Sequence, residues 1–175
     1  MAVNLEKFIR EVPDFPKKGI GFKDITTLLK DAEGFKLAVD QLSEQLEDVK
    51  IDAIAVIESR GFPFGSALAY KLGTGLLLVR KPGKLPAPTI RQEYALEYGT
   101  DALEIHQDAI KPGQNVLIVD DLLATGGTAM AVAQLVEKLQ GKVSAIAFVV
   151  ELDFLKGREK LKEYNIISLV HYQSE

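Results

Sequence analysis

Val116-Leu-Ile-Val-Asp-Asp-Leu-Leu-Ala-Thr-Gly-Gly-Thr128 is the stretch whose reading decides the fold. Its first four residues are aliphatic without polar alternation, as expected of a strand buried on both faces. Two carboxylates, Asp120 and Asp121, close the run. A turn of small residues containing Gly126 and Gly127 then opens onto a predicted helix from about Ala129 to Leu139. The backbone N–H groups of Ala124, Thr125, Gly126, Gly127 and Thr128, the two threonine hydroxyls and the positive end of that helix suit a phosphate dianion. Asp120 and Asp121 suit acceptor bonds from sugar hydroxyls, and such a pair also holds a hydrated divalent cation indirectly. The ligand that meets both demands is a ribose 5-phosphate. An isolated Asp-Asp reads more plainly as a turn and helix cap. The complete order of strand, double carboxylate, Thr-Gly-Gly-Thr and helix favours the ligand.

Upstream, residues 51–57 form another apolar run, ending in Glu58-Ser59-Arg60-Gly61 and followed by a helical stretch through Phe64, Ala67, Leu68 and Leu72. Residues 75–79 are apolar again. Downstream, the pattern predicts a strand near 143–150, a helix near 155–164 and a strand at 166–170. Apolar runs alternating with helices indicate parallel strands in βαβ units. The expectation is one α/β domain over 1–175, with a central, mostly parallel sheet flanked by helices. Phe35, Ala38, Val39, Leu42 and Leu46 mark an amphipathic helix, and Leu5, Phe8, Ile9 and Val12 a short one ended by Pro13. Residues 13–22 are Pro, Gly and aromatics without period, so about 1–30 is expected to form a small subregion. Lys81-Pro-Gly-Lys-Leu-Pro-Ala-Pro-Thr89 reads as a mobile loop, and strands are expected near 93–98 and 102–106.

The chain has 175 residues, with 21 Lys and Arg against 25 Asp and Glu and a net charge of −4, so a general polyanion binder is disfavoured and no nucleic-acid partner is expected. Any phosphate site must be small and local. Zero Cys excludes disulfides, thiolate metal sites and cysteine nucleophiles, and fits a cytoplasmic protein. Glu6, Lys7, Arg10 and Glu11 interrupt the apolar stretch an export signal would need, and no apolar run approaches the ~18 residues of a membrane span. Neither G-x-x-x-x-G-K-[ST] nor G-x-G-x-x-G occurs. His106 and His171 match no metal spacing and read as structural or surface residues.

The segment from Val116 to Thr128 closely resembles the phosphoribosyl diphosphate signature of type I phosphoribosyltransferases, in the wording of the adenine branch. Phe15-Pro16, Gly19 and Phe22-Lys-Asp-Ile-Thr26 resemble that branch's base-covering region, and Ser59-Arg-Gly-Phe62 its diphosphate loop. Arg80-Lys81, Gly83-Lys-Leu-Pro86 and Leu96-Glu-Tyr-Gly99 resemble its flexible catalytic loop, about 81–96, and the strand after it. The resemblance implies the type I fold and the conversion of adenine and phosphoribosyl diphosphate to AMP and diphosphate with Mg²⁺, by a homodimer. Residue by residue, it implies that Ala124, Thr125, Gly126, Gly127 and Thr128 hold the 5-phosphate and that Asp120 and Asp121 address the ribose, with Mg²⁺ nearby through substrate and water. Ser59, Arg60 and Gly61 would face the diphosphate, joined by Arg80 and by Lys84 from the loop. Glu97 would act at N7 of adenine as acid or hydrogen-bond donor, a role that needs a raised pKa. Gly21, Phe22, Lys23 and Leu152 would form the base pocket. Lys23 stands where many relatives carry Arg, which keeps the charge without the bidentate geometry. Gly21 stands where a larger aliphatic residue is common.

The sugar-phosphate motif is shared by phosphoribosyltransferases for hypoxanthine, guanine, xanthine and orotate, so it does not choose the base. The N-terminal cover and residues 96–99 favour adenine. A sensor of phosphoribosyl diphosphate that binds DNA would be expected to show a basic helix, and none is visible.

Overall fold

In the computed structural model, residues 4–95 and 99–174 are described. Five strands form a wholly parallel sheet: β3 (Ala53–Ile57), β4 (Gly75–Val79), β7 (Asn115–Leu123), β8 (Lys142–Leu152) and β9 (Ile166–Tyr172), in the order β4-β3-β7-β8-β9. The strand carrying the double carboxylate is therefore central. Helices α2 (Ala32–Gln45), α3 (Gly61–Leu72) and α4 (Gly127–Lys138) flank the sheet. Alternation along β3 divides the core. Ile54 and Val56 pack with Leu42, Phe64 and Leu68 on one face, while Ala55 and Ile57 pack with Val132, Leu135 and Val136 on the other. Each large side chain so buried contributes about 1.5–3 kcal/mol.

Two antiparallel ribbons complete the fold. β1 (Arg10–Val12) pairs with β2 (Phe22–Asp24), and the short α1 (Thr26–Lys30) follows. β5 (Thr89–Ala95) pairs with β6 (Thr100–His106), whose Leu103 and Ile105 are buried against the α4 side of the core. A four-residue helix, α5 (Gly157–Lys160), precedes β9.

Five elements differ from expectation. The N-terminal apolar spacing yields only one 3₁₀ turn, Leu5–Phe8, because Arg10–Val12 pair with β2 instead of continuing a helix. β5 begins at Thr89, so part of the stretch expected as loop is strand. The helix expected near 155–164 is broken: Lys156 has φ 54°, and only Gly157–Lys160 is helical. The apolar residues of β4 are not all buried, since it is an edge strand with Leu76 and Leu78 exposed. β7, by contrast, outruns its expected end. It continues to Leu123 because β8 extends beside it, placing Leu122 opposite Val150 and Leu123 opposite Glu151.

The first ribbon is fastened by charge. Arg10 donates to Asp24 through Nε at 3.1 Å, and the Asp24 carboxylate also accepts from the Thr26 N–H at 2.8 Å. Arg10, then Thr26, hold the Asp24 pKa down at about 2. A depressed carboxyl pKa contributes stability above its unfolded value and loses it as pH falls through the folded one. Asp24→Asn is therefore expected to melt earlier than the parent at neutral pH, with the difference closing between about pH 4 and pH 2. A difference in urea midpoint that stays constant with pH would contradict the ion-pair account.

Candidate functional site

The extension of β7 decides how the two carboxylates are presented. Strand alternation sends them to opposite sides: Asp121 is buried at 3% exposure, while Asp120 retains some surface toward a cavity. Asp121 forms an ion pair with Arg60 Nε at 2.7 Å. Asp120 Oδ1 accepts from the Asp121 backbone N–H at 2.9 Å. Burial, and secondly the neighbouring Asp121 charge, push the Asp120 pKa well above the usual carboxylate range.

A cavity of about 160 Å³ lies against this pair, lined by Arg60, the loop 120–129 and Phe148. Gly126, at φ 79°, turns the chain into α4, and no side chain caps that helix. The first intrahelical donor following it is the Met130 N–H, bonded to the Gly126 carbonyl at 3.0 Å. The N–H groups of residues 127–129 are thus the leading donors of the helix, beside the Thr125 and Thr128 side chains. Such an arrangement suits an anion, with carboxylate acceptors at its rim. Among the predicted residues, Asp120, Asp121 and all five from Ala124 to Thr128 line the cavity.

A second cavity of about 390 Å³ shares Arg60, Asp120, Asp121 and Thr128 with the first and adds Ile57, Glu58, Ser59, Lys81 and Tyr94. Gly61 lets the two loops approach. A Cβ there would stand 2.8 Å from the Val119 carbonyl oxygen and 3.1 Å from Asp120 Oδ1. Arg80 does not line this cavity; it donates to Glu58 Oε1 at 2.9 Å, and the Lys81 N–H donates to Glu58 Oε2 at 2.9 Å. Arg80, then the Lys81 amide, hold the Glu58 pKa down. Lys81 Nζ is paired with Asp101 at 2.7 Å, which raises the lysine pKa. Lys84 is exposed on the loop, outside both cavity linings.

The predicted base-covering residues divide. Phe22 meets Phe15 edge-on at 5.1 Å between ring centroids, and the Arg60 guanidinium lies 5.8 Å from the Phe22 ring centroid. Phe22 also lines a cavity of about 270 Å³ with Val12, Phe15 and Asp24. Lys23 is turned inward, paired with Glu11 at 3.0 Å and 4.4 Å over the Tyr172 ring. Gly21 is half-buried just before β2, and Leu152, half-buried at the end of β8, packs against the α2–α3 side of the core. Glu97 falls outside the described residues, as do its neighbours Leu96 and Tyr98.

Sequence reasoning passed over Glu58, Tyr94 and Phe148 as cavity walls, and Lys81 as a cation in its own right. Glu58 and Lys81 each adjoin a residue that was singled out, so proximity in the chain was an available signal. Phe148 had none, because an aromatic residue within a buried strand is ordinary core. His171 is not isolated: its Nδ1 lies 2.9 Å from Asp153 Oδ1.

The phosphoribosyl transferase domain family model matches residues 26–171. An adenine phosphoribosyltransferase of Alkaliphilus metalliredigens is 60% identical over 170 residues, covering 97% of this chain and 100% of that protein. The crystal structure of adenine phosphoribosyltransferase from Thermoanaerobacter pseudethanolicus superposes with a TM-score of 0.94 at 60% identity, covering 96% of this chain and 98% of that one. The Saccharomyces cerevisiae enzyme, solved with an imino-altritol bisphosphate and adenine, gives a TM-score of 0.88 at 44% identity over 94% of this chain and 96% of that one.

The raised pKa of Asp120 has a consequence for stability. A carboxyl whose folded pKa is raised binds its proton more tightly in the native state, so its contribution is most favourable at low pH and declines as pH rises through the folded value. By this linkage the Asp120 carboxyl contributes less to stability at neutral pH than at acid pH. Asp120→Asn is expected to raise the melting temperature at pH 7, by less as pH is lowered, while weakening ribose 5-phosphate binding measured by calorimetry. A variant that is less stable at pH 7 yet binds as the parent does would contradict both halves.

Proposed function

We infer the reaction from membership: this chain belongs to the phosphoribosyltransferases, and among them to the adenine phosphoribosyltransferases. It is a pentosyltransferase of purine salvage, converting adenine and phosphoribosyl diphosphate to AMP and diphosphate. The bond from C1 of the ribose to the diphosphate oxygen breaks, the diphosphate leaving with the electron pair. A bond from C1 to N9 of adenine forms, and the N9 proton is lost. Positive charge develops on the sugar in between. The protein's work is then to hold the phosphate, neutralise the leaving group and align the base.

One observation carries the assignment of roles: Arg60 touches Asp121 of the sugar site, lines both cavities and reaches the Phe22 ring. Three subsites thus meet at one side chain. In our reading, residues 124–128 hold the 5-phosphate and Asp120 and Asp121 receive the ribose hydroxyls. Ser59, Arg60 and Gly61 face the diphosphate, with Arg80 as a fixed cation and Lys84 as one brought by the loop. Adenine lies on Phe22 beside Gly21, Lys23 and Leu152. The imino-sugar bisphosphate and adenine bound by the Saccharomyces cerevisiae protein support a site divided in this way.

The carboxylate pair fits a hydrated Mg²⁺, because burial and mutual repulsion at Asp120 create a field that a cation relieves. Asp120 and Asp121 would hold it through water and substrate, and it would supply neutralising charge at the diphosphate. No helix of the described residues is long and apolar enough to cross a membrane. Phosphoribosyl diphosphate and AMP are multiply charged and do not cross a membrane unaided, which supports a cytoplasmic enzyme. For the homodimer, the supporting surface is edge strand β4, with Leu76 and Leu78 at 37% and 41% exposure; Tyr70 of the preceding α3 is 92% exposed. An exposed apolar edge of this kind favours a partner.

Incubation with phosphoribosyl diphosphate, Mg²⁺ and each of adenine, hypoxanthine, guanine, xanthine and orotate is expected to yield nucleotide from adenine alone. Product from hypoxanthine and none from adenine would reject the base assignment. Glu97→Gln is expected to lower kcat by about 10²-fold or more with little change in KM, since general acid–base groups contribute roughly 10²–10⁴-fold and act in the transition state. An unaltered kcat would remove Glu97 from the chemistry.

A further inference from the structure

The residues between β8 and β9 enter neither the sugar-phosphate cavity nor the diphosphate cavity. They nevertheless press on the sugar-phosphate loop from behind, backbone against backbone. A Cβ at Gly157 would stand 2.3 Å from the Ala124 carbonyl oxygen and 2.7 Å from Leu123 Cδ1. From the opposite side, a Cβ at Gly126 would stand 2.8 Å from the Gly157 carbonyl oxygen. Gly126 is also the residue whose φ of 79° turns the loop into α4. The curvature of the cradle is therefore set against Gly157, with no room for a side chain between them.

Gly157 is itself anchored. The next residue, Arg158, donates through Nε to both oxygens of Glu151, at 2.7 and 2.9 Å, and through a terminal nitrogen to the Ile166 carbonyl at 3.3 Å. Glu151 is buried at 3% exposure and lies on β8, opposite Leu123 of β7. The ion pair thus ties α5 to the strand next to the one that delivers the loop. Glu151 also stands close to Asp153 and His171, a grouping with the look of a metal site. Both its oxygens already accept from Arg158, so the group works as an anchor.

We propose that Gly157, held by the Arg158–Glu151 ion pair, is a positioning residue for the 5-phosphate: it fixes the loop 124–128 in the curvature that points its N–H groups at one place. This rests on the reading of that loop as the sugar-phosphate site. Gly157 touches no substrate. Its effect passes through the Ala124 and Gly126 backbone, and a displacement of the order of 1 Å in such a cradle is worth as much as ~10²-fold. Of the residues read as the base site, Phe22, Gly21 and Lys23 belong to the N-terminal ribbon or its approach and only Leu152 adjoins the Glu151 anchor, so base binding is expected to respond to Gly157 less than sugar-phosphate binding does.

The test is Gly157→Ala, assayed for ribose 5-phosphate affinity by calorimetry and for KM of both substrates. We expect ribose 5-phosphate binding and the KM for phosphoribosyl diphosphate to worsen by ~10-fold or more, with the KM for adenine within about twofold of the parent. Arg158→Lys keeps the charge but not the Nε geometry and should shift the same two quantities by less. It also serves as the readout if Gly157→Ala does not fold. Unchanged ribose 5-phosphate affinity in the folded variants, or equal losses for adenine and the sugar phosphate, would overturn the proposal. Failure of the parent protein to bind ribose 5-phosphate would reject the site reading itself, a result distinct from either.

Discussion

Two adjacent carboxylates on a central strand of a buried sheet are unfavourable unless their charge is met. At Asp120 and Asp121 that requirement organises the surroundings. Arg60 is drawn to Asp121, which places its guanidinium between the two cavities and against Phe22. Arg60 can arrive there only because Gly61 lets the start of α3 approach the β7 backbone. The Asp120 carboxylate accepts a backbone N–H and feels Arg60 only at a distance, so burial and the Asp121 charge keep its pKa elevated. The loop, the arginine and the aromatic cover are thus arranged around one electrostatic deficit.

The same logic extends outward along the cations. Arg80 is engaged by Glu58, Lys81 by Asp101, and Tyr94 donates to Asp101 at 3.4 Å from the wall of the second cavity. The β5–β6 ribbon therefore contributes more than a cover for α4, since its Asp101 holds the cation at the root of the loop. Lys84 is exposed on the loop, and its carbonyl accepts from Arg80 at 3.4 Å.

Much of this was legible in the residues. The parallel sheet followed from apolar runs separated by helices, and the cradle from the order of strand, carboxylates, small residues and helix, because each is a local pattern with a local cause. What escaped reading was set by distant partners. β7 runs past Asp121 because β8 continues beside it, and the last helix starts only at Gly157, which lies against Ala124 and Gly126, after Lys156 at φ 54°. The N-terminal segment became a strand because β2 was available to pair with it. In the N-terminal ribbon the identity of Lys23 was visible, but its inward course toward Glu11 and Tyr172 depends on Glu11 of β1 and Tyr172 of β9 being brought beside it.

The prior engagement of Arg60, Arg80 and Lys81 with carboxylates also changes what recognition means for this molecule. An anion near these three side chains meets charge that a carboxylate already partly neutralises, so the attraction it feels is the remainder after Asp121, Glu58 and Asp101 have been counted. Three of the chain's 21 basic residues thus add little to the long-range field, in keeping with a chain of net charge −4 that offers a polyanion little general attraction.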